Sequence, residues 1–261
     1  MKTTIFYFSA TGNSLHVAKT IAGKLDECTV VSIPSLRSNI KVIADTEVVG
    51  LVFPTHYFGL PPIVSEFIGK LNMEGVKYSF AAVTSGSSRY LSSSLHQVDM
   101  LLLRKGKKLD AGFHVEMISS YIPLSNIPPS EKVNQRLTEA DLKVQQIISA
   151  VLARKTVREA ERLWAPFSAI NKYWKNHQLS QAHSKFTCTA SCTSCGNCEK
   201  ICPVDNIRLQ NGRPQWSSNC QECLACLHLC PAESIEFGSR TAGKKRYHHL
   251  QVSASDIANS K

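Results

Sequence analysis

Cys192-Thr193-Ser194-Cys195-Gly196-Asn197-Cys198-Glu199-Lys200-Ile201-Cys202-Pro203 is matched, 28 residues on, by Cys220-Gln221-Glu222-Cys223-Leu224-Ala225-Cys226-Leu227-His228-Leu229-Cys230-Pro231. Both runs read C-x2-C-x2-C-x3-C-P, and together they use eight of the ten cysteines. Structural zinc takes four ligands from two C-x2-C pairs, an arithmetic these triplets do not follow. A disulfide framework belongs to an oxidising compartment, and the N-terminal segment does not read as a secretory leader. Thiolate ligation of iron–sulfur cubes is the chemistry that remains.

The double run resembles that of bacterial two-cluster ferredoxins, in which the fourth Cys of each run ligates the other cluster. A C-x2-C-x2-C loop wraps three corners of a cube, and the partner run supplies the fourth. That resemblance implies two [4Fe–4S] clusters. Cluster one takes Cys192, Cys195, Cys198 and Cys230, and cluster two takes Cys202, Cys220, Cys223 and Cys226. Pro203 and Pro231 fix φ and turn the chain just after each crossing ligand.

The run occupies about 50 of 261 residues, so a larger domain is expected beside it. A hydrophobic fraction of 43% and a charged fraction of 19% describe an ordinary globular chain. No apolar run reaches the roughly 18 residues of a membrane span, so none is expected. The net charge of +10 is unevenly placed. Residues 188–238 carry 3 basic and 5 acidic groups, and 239–261 carry 5 and 1. No dense basic stripe argues for nucleic acid. The basic frame reads either as a solvated surface or as a docking face for an acidic module or redox partner.

Upstream, Thr3-Thr4-Ile5-Phe6-Tyr7-Phe8 is a β-branched and aromatic run of strand length. It enters Ser9-Ala10-Thr11-Gly12-Asn13-Ser14, then a helical pattern with Leu15, Ala18, Ile21, Ala22 and Leu25. Strand, hydroxyl-rich loop and helix N-terminus together make an anion site of free N–H groups and positive dipole. The Walker pattern and the G-x-G-x-x-G fingerprint are both absent. The loop resembles the FMN phosphate loop of flavodoxins, T/S-x-T-G-N-T/S. The resemblance implies FMN held at Ser9, Thr11, Gly12, Asn13 and Ser14.

Further strands are expected at 28–33, 47–53, 78–84 and 111–118, with helices at 61–71, 91–104 and from Ser130 onward. The alternation predicts an α/β, flavodoxin-like, doubly wound five-stranded parallel sheet of order 2-1-3-4-5, with a small α+β two-cluster ferredoxin domain. Ligands of such sheets sit where strands one and three diverge. Two loops arrive there, and in flavodoxins the corresponding loops sandwich the flavin ring. The first offers Pro54, Thr55, His56, Tyr57, Phe58 and Gly59; the second offers Ser85, Gly86 and Tyr90. Tyr121 reads equally as a flavin cap, a contact to the cysteine module, or a cover for the sheet.

The expected organisation is a flavodoxin-like domain at 1–160, a helical connector at 161–187, the ferredoxin domain at 188–238 and a basic tail at 239–261. In the connector, Leu163, Trp164, Phe167, Ile170, Tyr173 and Trp174 make an apolar stripe expected to pack between the domains. His248 and His249 are expected at the surface or at a domain contact. Cys28 is expected beside the sheet, and Cys188 as a buried thiol outside the ligand set.

Taken whole, the chain resembles proteins that fuse an N-terminal flavodoxin-like domain to a two-cluster ferredoxin domain. The resemblance implies a cytoplasmic electron carrier that serves redox partner proteins. It passes single electrons between the clusters and a flavin able to hold one or two. Two other readings stay open: a flavin-dependent reductase of a small molecule, and an iron–sulfur protein whose flavodoxin-like domain is an empty docking surface.

Overall fold

The computed structural model describes residues 2–261, apart from the side chain of Arg89. Five parallel strands, β1 (Lys2–Tyr7), β2 (Glu27–Ser32), β3 (Val48–Pro54), β4 (Tyr78–Ser85) and β5 (Ala111–Glu116), are joined by a sixth, β6 (Val157–Arg158). The order is β2-β1-β3-β4-β5-β6. The sheet thus has one strand more than expected, a two-residue addition that pairs Val157 and Arg158 with Ala111 and Gly112. Helices α1 (Asn13–Ala22), α2 (Pro62–Lys70), α3 (Ser94–Leu103) and α4 (Ser130–Leu152) cover the sheet.

Period-two alternation sorts each strand's side chains onto the two faces. In β1, Phe6 joins Leu51, Phe53 and the α2 residues Val64 and Phe67 on one side. Ile5 and Tyr7 join Val52, Val17 of α1 and Val144 of α4 on the other. α2 starts with Pro62 inside its first turn, where the missing N–H costs nothing. The first turn of α3 is capped from a distance, with the Glu161 carboxylate accepting the N–H groups of Leu95 and His96 at 3.0 and 2.9 Å.

The cysteine module is α5 (Trp164–His177) followed by β7 (Phe186–Cys188), α6 (Asn197–Lys200), the hairpin β8 (Ile207–Gln210) and β9 (Arg213–Trp216), α7 (Ala225–His228) and β10 (Ile235–Phe237). β7 and β10 pair antiparallel. The repeat seen in the sequence is also a repeat of backbone geometry. Left-handed φ recurs at Ser194 and Glu222, at Gly196 and Leu224, and at Asp205 and Glu233, each pair 28 residues apart. Thr189 N–H donates to Ser234 O, and its counterpart Ser217 N–H donates to Asn206 O, at 2.8 and 2.9 Å. A last helix, α8 (Ala254–Ala258), follows a coil from the module.

The two parts share their interior. Phe186, Leu227, Ile235 and Phe237 belong to the same buried cluster as Phe53, Leu60 and Ile63. Ile201, Leu229, Val252 and Ile257 belong to the cluster on the opposite face with Ile5 and Leu15. The connector touches both parts through Trp174, which stacks on Tyr57 and donates to Glu222, but its stripe is not buried as a whole. Of its stripe only Trp174 is buried, at 1% exposure, whereas Leu163, Trp164, Ile170 and Tyr173 stay open. The helix meets its neighbours along one line rather than lying between two layers. Cys28 packs beside the sheet in half-exposed surroundings, and Cys188 is likewise only half-buried. Among the described residues no helix is long and apolar enough to cross a membrane.

Candidate functional site

At the C-terminal edge of the sheet a cleft of about 100 Å³ opens at the switch between β1 and β3. Ser9, Thr11, Asn13 and Ser14 form one wall, Pro54, Thr55 and His56 a second, and Ser85 and Gly86 a third. Tyr121 and Cys223 line it too. Gly12 is the N-cap of α1 and lies at φ 95°, a left-handed conformation that favours glycine. Among the described residues, the amides of Ser9, Ala10, Thr11 and Gly12 donate to no backbone or side-chain acceptor, although Ser9, Ala10 and Thr11 are buried. Buried N–H groups are nearly always paired, so a row of free amides at a helix N-terminus is a cradle for an anion. This fits a flavin phosphate.

Four residues expected at a flavin ring are turned elsewhere. His56 and Gly59 exchange two backbone hydrogen bonds, at 2.9 and 3.0 Å, around a two-residue turn. Its central residues, Tyr57 and Phe58, are both left-handed at φ 44° and 64°. Such a turn usually takes Asn-Gly, and bulky residues there cost roughly 1–2 kcal/mol each. The turn swings both rings onto α5, where Tyr57 stacks on Trp174 at 4.6 Å and Phe58 meets Phe167 at 4.7 Å. Gly59 is pressed against Asn171, which a Cβ would approach to 2.4 Å. Tyr90 lies outside the cleft, with the Arg162 guanidinium 5.3 Å from its ring centroid. Tyr121, whose position the sequence left open, both lines the cleft and reaches the cysteine module.

The eight run cysteines line two further, small cavities. Cys192, Cys195, Cys198 and Cys230 line one, and Cys202, Cys220, Cys223 and Cys226 line the other. No three Cys, His, Asp or Glu side chains among the described residues converge on a single-ion point. The thiols enclose a volume instead, as a cube requires. Asn206 N–H donates to Cys202 Sγ at 3.2 Å and Glu222 N–H to Cys220 Sγ at 3.3 Å. Burial pushes the Cys198 and Cys220 thiols up to about 11 and about 12. Such sites take thiolates only together with a cation, which suits iron ligation.

Residues 4–98 match the flavodoxin-domain family model, and residues 191–235 match that of the 4Fe-4S dicluster domain. The chain carries a flavodoxin domain followed by a 4Fe-4S dicluster domain. A flavodoxin domain and a dicluster domain in one chain make an electron-transfer protein working with flavin and iron–sulfur. No curated protein matches the chain. Among solved structures it is similar to the rubredoxin:oxygen oxidoreductase of Desulfovibrio gigas, at 18% identity and TM-score 0.34. That match covers 58% of this chain and only 37% of the oxidoreductase. A Bacteroides uniformis protein described as a flavoprotein aligns at 19% identity and TM-score 0.36, over 52% of this chain and 97% of its own. The Trp repressor binding protein of Bacillus subtilis aligns at 13% and 0.38, over 54% and 99%.

The ferredoxin part grips the flavodoxin domain at three places around the cleft. Glu222, 4% exposed, accepts Tyr57 OH at 2.9 Å and Tyr121 OH at 2.7 Å on Oε1, and Trp174 Nε1–H at 3.1 Å on Oε2. His228 sits between Ser120 O, 2.6 Å from Nε2, and the Tyr247 N–H, which donates to Nδ1 at 3.1 Å. Burial holds its pKa down to about 4, in keeping with a neutral ring that donates from one nitrogen and accepts at the other. The tail makes the third grip. Tyr247 OH donates to Asn13 Oδ1 at 2.7 Å, His249 N–H donates to Thr11 O at 2.8 Å, and the His249 ring stacks on His16 at 4.0 Å. Of the two readings left open for His248 and His249, surface or domain contact, His249 makes the contact. In the cleft itself, burial and the nearby Lys175 cation hold His56 down to about 4, and its Nδ1 has no partner.

Proposed function

We propose that the protein carries electrons within one molecule, between two [4Fe–4S] clusters and one FMN. The observation that carries this reading is the shared wall of the cleft and the second thiol cavity, both of which are lined by Cys223. Bound FMN would supply an acceptor of one or two electrons and the clusters one electron each, so the pair can gather single electrons and deliver them in twos.

The chain's own residues bind and orient. The free amides from Ser9 to Gly12, with the hydroxyls of Ser9, Thr11 and Ser14, hold the phosphate. Ser14 Oγ is itself fixed against Thr84 Oγ1 at 2.8 Å. His56, Tyr121 and the backbone at Gly86 face the ring, and the unpartnered His56 Nδ1 offers it one hydrogen bond. Cys192, Cys195, Cys198 and Cys230 hold cluster one; Cys202, Cys220, Cys223 and Cys226 hold cluster two. The working division keeps 1–160 for the flavin and 188–238 for the clusters, with 161–187 and 239–261 as the two straps between them. A ligand loop lining the cleft supports a carrier over a small-molecule reductase, because it takes up the side from which a substrate would approach.

Anaerobic purification with iron, sulfide and flavin counts tests the reading. About eight irons and one FMN per chain is the expected result for two four-iron clusters and a filled cleft. Eight irons with no flavin, even after FMN is added, would leave a ferredoxin carrying an empty docking domain.

A further inference from the structure

The ten cysteines differ in what they face. Of the four assigned to cluster two, Cys202, Cys220 and Cys226 are buried, and Cys223 is half-buried in the wall of the flavin cleft. Of the four assigned to cluster one, none lines that cleft, and Cys195 is exposed. The loop that carries Cys195 meets little of the flavodoxin domain; Ser194 Oγ donates to Gly212 O of the β8–β9 turn at 2.6 Å. Cluster two is enclosed by Leu224, Phe186 and Trp216 on its remaining sides. The second thiol cavity thus shares Cys223 with the cleft, whereas the first shares no residue with it and holds the one exposed thiol, Cys195.

We infer, on the reading above, a fixed order of transfer: external carrier, cluster one at Cys195, cluster two, then flavin through Cys223. The partner is a protein-sized one-electron carrier docking at the Cys192–Asn197 loop. In the reducing direction the carrier loses one electron and cluster one gains it. Transfer inward re-oxidises cluster one, then cluster two, and leaves the electron on the flavin. A second pass, with up to two protons from water, completes a two-electron reduction. Run backwards, the same order delivers single electrons outward. Loop 118–121 and Cys223 take up part of the cleft wall, so an outside protein meets the Cys192–Asn197 loop rather than the flavin.

The test uses the full chain loaded anaerobically with iron, sulfide and FMN, in native, Cys195→Ser and Cys223→Ser forms. With the flavin poised in its one-electron form and the clusters reduced, microwave power saturation of the flavin signal reports the nearest paramagnetic cluster. Cys195→Ser is expected to lose about half its iron, as one of two cubes goes, yet keep the fast relaxation of the native flavin. It should also lose reduction of the flavin by a protein-sized donor. Cys223→Ser is expected to lose the fast relaxation. Because Cys195 lies in an exposed loop, its variant alone decides should Cys223→Ser fail to fold. Slow relaxation in Cys195→Ser, or undiminished reduction by the protein donor, overturns the order while leaving an intramolecular carrier in place. A native chain with full iron and no flavin overturns both.

Discussion

Replacing Glu222 by alanine removes the one acceptor shared by three elements: the turn after β3, the loop after β5, and α5. Trp174 Nε1–H would be left in a buried site without a partner, and Tyr57 OH and Tyr121 OH would keep only the bond between themselves. An unsatisfied buried donor costs about 1–3 kcal/mol. The three costs are not additive, because the rings share one pocket and relax together. The expected sum is about 3 kcal/mol, because three hydrogen bonds to one buried carboxylate are lost and only the two tyrosines can re-pair. Equilibrium unfolding would confound this with cluster loss, so hydrogen exchange in the native state is the better assay. The informative amides are Gly59, which donates to His56 O, and Ser93, which donates to Phe58 O at 2.8 Å. Their protection should fall about 10²–10³-fold, with iron and sulfide content unchanged. Glu222→Gln keeps an acceptor for the two tyrosines and presents an N–H to Trp174, so about 1–2 kcal/mol is expected. Protection within about threefold of native in Glu222→Ala, clusters intact, would refute the claim that this carboxylate holds the parts together.

Gly12→Ala adds a Cβ 2.8 Å from Val252 Cβ at a left-handed position. It should free the tail to proteases and weaken FMN binding by tenfold or more, about 1.4 kcal/mol, read by flavin titration. Burial, with the stacked His16 beside it, holds His249 down to about 4, against about 6.5 unfolded. Between those values the unfolded tail binds the extra proton. Docking stability is therefore complete above pH 6.5 and lost as pH falls toward 4, by at most about 3 kcal/mol. Exchange protection of the His249 and Val252 amides should decline over that window in the native chain and less steeply in His249→Leu, where His228 still titrates against the tail. On the proposed ligand assignment Cys188→Ser should leave iron content and cluster spectra unchanged; loss of iron would overturn that assignment and make Cys188 a ligand.

The cysteine runs were legible because a cube dictates where its thiolates stand, and that spacing cannot drift with context. The Thr3–Ser14 strand, loop and helix start were legible for a similar reason, since period-two alternation gives way to period-3.6 across a Gly-centred loop. Tyr57 and Phe58 were not, because their direction depends on a left-handed turn. Tyr-Phe carries none of the Asn-Gly chemistry that announces one, and stacking on Trp174 and Phe167 offsets the strain. β6 escaped because two exposed residues have no period. The connector misled for the opposite reason. Its apolar residues are spaced like a buried stripe, but only the line through Asn171 and Trp174 meets a partner.

Tyr7 OH lies 2.6 Å from Ser260 Oγ, and Val252 and Ile257 complete the core around Ile5, Leu15 and Ile21. On a ribosome adding about 5–20 residues per second, the first strand and helix wait roughly 10–50 s for that covering to be made. Until then the Ser9–Ser14 loop stands open on the side that His249 and Val252 later close. A cofactor captured by the nascent chain meets an uncovered phosphate loop, and one arriving after release meets a closed strap. Loading during synthesis and loading of finished protein are therefore different events for this molecule.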